Sequence, residues 1–279
     1  MIYRFRTILF KFFFFINKYI LGKKGLNPYS YRNMYFAFLS KFKKDFFFIK
    51  YDTKIYYDPL NSGVGWGAYF NGDFEQHEIE ICKQFIKSDS IIFDIGANIG
   101  THSLAFSKMA TKGKVFSFEP SVKTYKWLLK NTERNENIIC NNIALSSEAE
   151  LIKFYECEND VMSGLSDTKR SNILFVKEVV SETGDSYVER LKLHNLDFVK
   201  IDVEGFEESV IKGFEKSIAK FKPIIFCEIY KGQSSNLNPQ STIDLIKQSG
   251  YSVNVIKEKE LVPSTLHSDQ FPNYIFIPV

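Results

Sequence analysis

The chain has no long apolar run. Its most hydrophobic stretch, Ile8 to Leu21 (ILFKFFFFINKYIL), is interrupted by Lys11, Asn17 and Lys18. It falls short of the roughly 20 apolar residues that a membrane-spanning helix requires. No small-residue cleavage site follows it, which argues against a removable secretory signal. Cysteine is equally scarce. Cys82, Cys140, Cys157 and Cys227 form no CxxC pair and keep no metal-ligand spacing with the four histidines, which excludes a disulfide framework and a zinc-finger site. Acidic residues are rare at the start: residues 1–60 hold 3 Asp/Glu against 12 Lys/Arg, and the rest hold 30 against 24. No basic surface of the kind that binds nucleic acid is legible after residue 60.

The 279 residues are 44% hydrophobic and 25% charged, ordinary for a folded chain and against wholesale disorder. The charge asymmetry divides it into a basic, Phe-rich extension over 1–60 and a domain over 61–279. Two readings of residues 1–24 stay open. One is an amphipathic helix in a membrane interface, with Phe and Leu among acyl chains and Lys/Arg on headgroups, placing the protein in the cytoplasm at the inner membrane face. The other is a helix packed on the domain or on a second subunit. Tyr29 to Phe48 suits one or two helices. Phe46 to Tyr51 and Lys54 to Tyr57 suit a strand pair turning at Asp52-Thr53, and Gly63, Gly65 and Gly67 are expected to punctuate a loop around Trp66.

From about residue 74 short apolar runs alternate with helical spacing. Strands are expected at 91–95, 115–119, 138–142, 198–202, 223–229, 251–256 and 273–278, with a less regular insertion over 146–183 carrying strands near Ile152 and Phe175. Helices are expected between them. Such alternation predicts a parallel sheet covered on both faces, with ligands at the carboxyl ends of the strands.

Asp94, Glu119, Asn142, Asp202 and Glu228 all fall at such ends, where polar groups converge on one crevice. The first strand runs into Asp94-Ile95-Gly96-Ala97-Asn98-Ile99-Gly100. Gly96 and Gly100 permit a tight turn and close approach to a ligand. Asn98 stands where a dinucleotide fingerprint has its middle glycine, and Glu119 follows Gly100 by 19 positions, where an acid holds ribose hydroxyls.

DIGANIG, then FSFEP, NIAL at Asn142 to Leu145, and FVKIDVEGFE at Phe198 to Glu207 together resemble the FkbM family of methyltransferases, over about 72–230. The resemblance implies a class I methyltransferase, Rossmann-like fold with a mostly parallel seven-stranded sheet, and S-adenosylmethionine as cofactor. It implies that Asp94, Gly96, Ala97, Asn98, Gly100 and Thr101 line the cofactor's amino-acid side, that Glu119 holds the ribose, and that Asn142 and Ala144 flank the adenine. Glu75, in Gly-Asp-Phe-Glu, resembles an acid that reaches the cofactor or closes the pocket; a helix N-terminal carboxylate is the alternative.

On the reacting side, Asp202 is the first candidate for general base or acceptor grip and Glu204 the second, because an alcohol must lose a proton as it is methylated. His102 and Glu228 are carried as acceptor-side residues, against plainer roles in helix packing and in an ion pair with Lys231. Three carboxylates there could hold a hard cation, but nothing in their spacing demands one, and no metal is expected. The family association points to O-methylation of a glycan, lipid-linked sugar or secondary metabolite. A nicotinamide-dependent oxidoreductase and a non-catalytic binding module are the competing readings.

Overall fold

A computed structural model describes the chain apart from residues 1, 21–27, 43, 73–74, 166–168, 170, 232–237 and 258. Leu21, Lys23 and Lys24 of the N-terminal segment, Asp73 and Phe74 before Glu75, and part of the insertion's polar stretch therefore lie outside the described residues. Contacts divide the chain into two compact units, 1–74 with 159–161, and 75–158 with 162–279. Composition shifts near residue 60 whereas contacts shift after 74, because the segment that follows residue 60 folds with the first unit.

In that unit helix α1 (Ile2–Phe15) runs on into a π-helical turn over Ile16–Ile20. Helix α2 (Pro28–Leu39) begins on a proline, whose fixed φ and missing N–H suit a first helical position. Strands β1 (Phe47–Lys50) and β2 (Thr53–Tyr56) form an antiparallel hairpin. Its turn sits on Tyr51 and Asp52, both left-handed at φ 53°, one residue earlier than expected. Aromatic edge contacts join the helices, with Phe10 5.4 Å from Tyr35 and Phe14 4.5 Å from Tyr31 between ring centroids.

The glycines around Trp66 do not make a loop. They lie in helix α3 (Gly63–Asn71), which Ser62 caps by accepting from the Gly65 N–H at 3.1 Å. A Cβ on Gly65 would fall 2.1 Å from the Tyr57 ring. Small size at a close contact, rather than a turn, explains this glycine.

The second unit contains, in order, α4 (Gln76–Cys82), β3 (Ile91–Ile95), α5 (Thr101–Met109), β4 (Lys114–Phe118), α6 (Val122–Thr132), β5 (Ile138–Asn141), β6 (Ala144–Leu145), β7 (Leu151–Cys157), β8 (Ile173–Glu182), α7 (Gly184–Arg190), β9 (Phe198–Ile201), α8 (Glu207–Lys212), α9 (Glu215–Phe221), β10 (Ile224–Glu228), α10 (Pro239–Gln248), β11 (Tyr251–Lys257), β12 (Glu260–Pro263) and β13 (Asn273–Pro278). The main sheet has the order β12-β11-β13-β10-β9-β3-β4-β5. β3, β4, β5, β9 and β10 pair in parallel, and β13 runs antiparallel between β10 and β11. Eight strands replace the expected seven: β12 adds a short edge hairpin to β11. The insertion forms a separate three-stranded sheet, β6-β8-β7, with Leu151 opposite Val180.

Alternation along the central strands separates the two faces of the sheet. Phe93 and Ile95, Phe116 and Phe118, Val199 and Ile201, Ile225 and Cys227 point into one apolar core with Tyr187 of α7, Val210 of α8, Ile218 of α9 and Ile243 of α10. The other face, against α5, sets the polar Asp94, Ser117 and Lys200 among buried apolar side chains such as Ile92, Val115 and Phe198. The chain moves outward from β3 through β4 to β5 on one side and through β9 to β10 on the other. The reversal of strand order therefore falls between β3 and β9, whose carboxyl ends open the crevice where such sheets bind ligands.

Candidate active site

Three strand residues form a polar row beneath that crevice. Asp94 stands in register with Ser117 of β4 on one side and Lys200 of β9 on the other. All three are buried. From α5 the Ser103 hydroxyl donates to Asp94 Oδ2 at 2.5 Å and lies 2.8 Å from Ser117 Oγ. Lys200 Nζ donates to the Gly96 carbonyl at 2.9 Å and sits 3.5 Å from Asp94 Oδ1 and 3.3 Å from Asp202 Oδ2. Burial alone would depress the Lys200 ammonium, but the charges of Asp202, Asp94 and Glu75 outweigh it and hold the group above its usual range. Lys200 is thus a buried cation between two carboxylates, a pairing that a low-dielectric interior requires. It is absent from the sequence-derived set of site residues. Its signal was present all the same: one lysine inside the apolar strand Phe198-Val199-Lys200-Ile201.

Above the row the backbone turns sharply. Gly96 has φ 76°, and a Cβ there would lie 1.8 Å from the Asp202 carbonyl oxygen, so the turn after β3 and the turn after β9 are in backbone contact. Gly96 and Ala97 both donate their N–H to the Phe118 carbonyl, at 3.0 and 2.9 Å. Asn98 is left-handed at φ 49° and its side-chain oxygen accepts from the Ile99 N–H at 2.8 Å, a local bond that makes this conformation accessible to asparagine. Gly100, at φ 92°, leads into α5.

Glu119 closes β4 beside this turn. One oxygen accepts from the Asn98 N–H at 3.0 Å, the other from the Ser121 N–H at 2.8 Å. Asn142 donates to the Glu119 carbonyl at 2.8 Å and to that of Pro120 at 3.2 Å, so Glu119, Asn98 and Asn142 are brought together. Ala144 starts the small sheet and packs with Phe154 and Val179. Near them Ser121 hydrogen-bonds the buried Glu156, which also lies 3.3 Å from Lys177.

The acidic side gathers around the loop after β9. Asp202 is partly exposed, with a side-chain exposure of 28%. Glu204 is left-handed at φ 50° and Gly205 follows at φ 94°. The next turn is pinned by Glu207, which accepts from the Gly205 N–H at 2.8 Å. Burial, with the Asp202 charge, pushes the Glu207 carboxyl up to about 7. At the end of β10, Glu228 is raised well above the usual carboxylate range by burial and then by the charges of Asp202, Glu204 and Glu75. Glu75, left-handed at φ 60°, accepts from Thr101 Oγ1 at 3.3 Å and lies 3.4 Å from His102 Nδ1. His102 is buried against Phe226 and Phe106. Among the described residues no three His, Cys, Asp or Glu side chains converge to hold a metal ion.

A glycine turn at the switch point of a doubly wound sheet, with an acid closing the neighbouring strand, is an arrangement that binds a nucleoside-containing cofactor. The chain belongs to the FkbM methyltransferase family, whose domain matches residues 94–253. Its cofactor is accordingly S-adenosylmethionine. The hexuronic acid methyltransferase AglP of Haloferax volcanii is 29% identical over 184 residues, 66% of this chain and 72% of that protein. The 2-O-methyltransferase NoeI of Sinorhizobium fredii is 25% identical, over 55% and 71%. A solved FkbM methyltransferase from Methylobacillus flagellatus superposes with a TM-score of 0.46 at 13% identity, covering 92% of this chain. The chain spans 57% of the length of that structure.

Proposed function

We propose that this methyltransferase transfers its methyl group to a hydroxyl oxygen of a sugar, on a glycan, a lipid-linked saccharide or a related small molecule. The observation that carries the reading is the group of carboxylates gathered at the carboxyl ends of β9 and β10, where Glu228 is held above the ordinary range by burial and then by the charges of Asp202, Glu204 and Glu75. The family and the two methyltransferases AglP and NoeI support it.

The residues present suit the cofactor. Glu119 offers carboxylate oxygens at the end of β4, the chemistry that accepts a ribose diol. Asp202 and Glu75 supply negative charge for a sulfonium and an ammonium. Gly96, Ala97, Asn98, Gly100 and Thr101 would follow the amino-acid part, and Asn142 and Ala144 the adenine. Asp94 acts from beneath, through Lys200 and Ser103. When bound, S-adenosylmethionine supplies an activated methyl for in-line displacement.

The protein's share is to align the acceptor oxygen and receive its proton. Asp202 is assigned as base or acceptor grip, with Glu204 second to it. Glu228, as a carboxyl of raised affinity for protons, lines the acceptor side with His102 and Glu75. Lys200 orients Asp202 from below through its ammonium. Peripheral contact of residues 1–24 with the inner face of a membrane would suit an acceptor carried on lipid.

The test is methyl transfer from S-adenosylmethionine to a panel of hexuronic acids and hexosides by wild type, Asp202→Asn and Glu228→Gln. The expected outcome is a methyl ether product and a fall in kcat of about 100-fold for Asp202→Asn, the usual scale of a lost general base. Glu228→Gln should remove the loss of kcat/KM that ionisation of Glu228 causes on the alkaline limb of the profile. Transfer to nitrogen or carbon acceptors alone would overturn the reading.

A further inference from the structure

Helix α1 presents two apolar faces, and only one of them is covered. Phe10, Phe13 and Phe14 turn inward onto α2 and α3, with Phe10 5.3 Å from Phe70 and Phe13 5.4 Å from Tyr35 between ring centroids. Phe5, Ile8, Leu9, Phe12 and Phe15 are exposed, Phe12 at 62%. At about 100° per residue these five positions span an arc of about 120° on one side of the helix. Arg4 and Lys11, both exposed, project beside the Phe15 edge of that arc on the same rule. Exposed aromatics continue onto the end of α2. Phe38 packs on Phe13 at 5.8 Å and Phe42 is 77% exposed, between the exposed Lys41 and Lys44. An uncovered apolar surface of this kind marks an interaction site.

Charge decides the occupant. The first 44 residues contain ten Lys/Arg and no Asp or Glu. A second copy meeting this face would bring two uncompensated basic borders together. A nucleic acid would meet the cations but leave the phenylalanines against phosphate. A surface that is apolar within and anionic at its rim satisfies both parts at once. No described helix is long and apolar enough to cross a membrane.

We propose that α1 lies in the interface of an anionic lipid bilayer, with Phe5, Ile8, Leu9, Phe12 and Phe15 among the acyl chains and Arg4 and Lys11 at the headgroups. The inference is independent of the acceptor assigned above and is tested without cofactor or acceptor.

The experiment is co-sedimentation of the full chain with vesicles of phosphatidylcholine alone and of phosphatidylcholine mixed with phosphatidylglycerol. The variants are Ile8→Ser/Phe12→Ser and Arg4→Gln/Lys11→Gln. The substituted side chains are exposed, so melting temperatures should match wild type. Wild type should bind the mixed vesicles and bind phosphatidylcholine at least about tenfold more weakly. The apolar double variant should lose at least about tenfold in affinity for mixed vesicles, and the charge variant should lose affinity and salt sensitivity. Equal binding by wild type and the apolar variant, or no binding to mixed vesicles, overturns the proposal. So does a dimer in sedimentation equilibrium that the apolar variant dissolves, because a second copy would then cover the face.

Discussion

Lys200 faces Asp94 across the β9–β3 pair, ammonium to carboxylate at 3.5 Å, with both side chains shut off from solvent. Asp94 is tolerable inside the sheet because Lys200 is there, and Lys200 because Asp94 and Asp202 flank it. Lys200→Met therefore leaves Asp94 as an uncompensated buried charge, and the expected loss is about 3–5 kcal/mol of unfolding free energy. Adding Asp94→Asn to that variant should restore a large part of it. Urea denaturation of the two single variants and the double variant measures the coupling, and strictly additive losses would contradict the pairing.

The contact between the Gly96 turn and the Asp202 carbonyl has no room for a methyl group. Gly96→Ala must push the two loops apart or distort a left-handed backbone. The strain of the backbone conformation alone is about 1–2 kcal/mol, and the clash adds to it. Isothermal titration with S-adenosylhomocysteine should show affinity falling by at least about tenfold, together with a lower Tm. Undiminished binding would mean that this turn does not shape the pocket.

Glu119 serves both its own loops and, in the proposed reading, the ribose. Glu119→Gln keeps an oxygen for one of the two backbone N–H groups but removes the charge. Charge-assisted hydrogen bonds are worth about 1.5–3 kcal/mol, so Kd for S-adenosylhomocysteine should rise roughly 10- to 100-fold. Tubercidin-type base analogues and 2′-deoxyribose analogues of the cofactor product separate the contributions: loss of the 2′-hydroxyl should weaken wild type but hardly change the variant.

Glu207 gives a pH signature. Its folded-state value of about 7 lies above the ordinary value of 4.5, so the native state holds a proton that the unfolded chain releases between those limits. The associated stability is fully present below about 4.5 and is lost as pH rises through about 7. Glu207→Gln, whose amide oxygen can still accept from Gly205, should therefore be more stable than wild type at pH 8. The upper limit of the gain is roughly 3 kcal/mol, shrinking to near zero by pH 4.5. Melting curves across that range measure it. A gain that grows toward low pH would contradict the assignment.

Much of the site is legible in the chain because parallel strands announce themselves as short apolar runs and the residue ending each run faces the crevice. Glu119 and Asp202 follow their strands as this rule expects, whereas Asp94 lies one residue inside β3, buried beneath the crevice. The strands of the insertion near Ile152 and Phe175 were legible for the same reason, although their pairing into a separate sheet was not. Gly65 was misread because a glycine needed for closeness to Tyr57 and a glycine needed for a turn have the same letter. Strand β12 escaped notice because Glu260 to Pro263 shows no alternation and only its pairing with β11 defines it.

The order of apolar runs and glycine turns, a local property of the chain, determined the doubly wound architecture and the family, since it dictates which backbone can bury both faces of a sheet. Which side chains share a charge is a different kind of fact. Asp94 and Lys200 are 106 residues apart, and their interaction exists only because β9 returns to lie beside β3 and removes both from water. The raised proton affinities of Glu207 and Glu228 likewise come first from burial, and for Glu228 also from charges on other loops, and only the tertiary structure decides them.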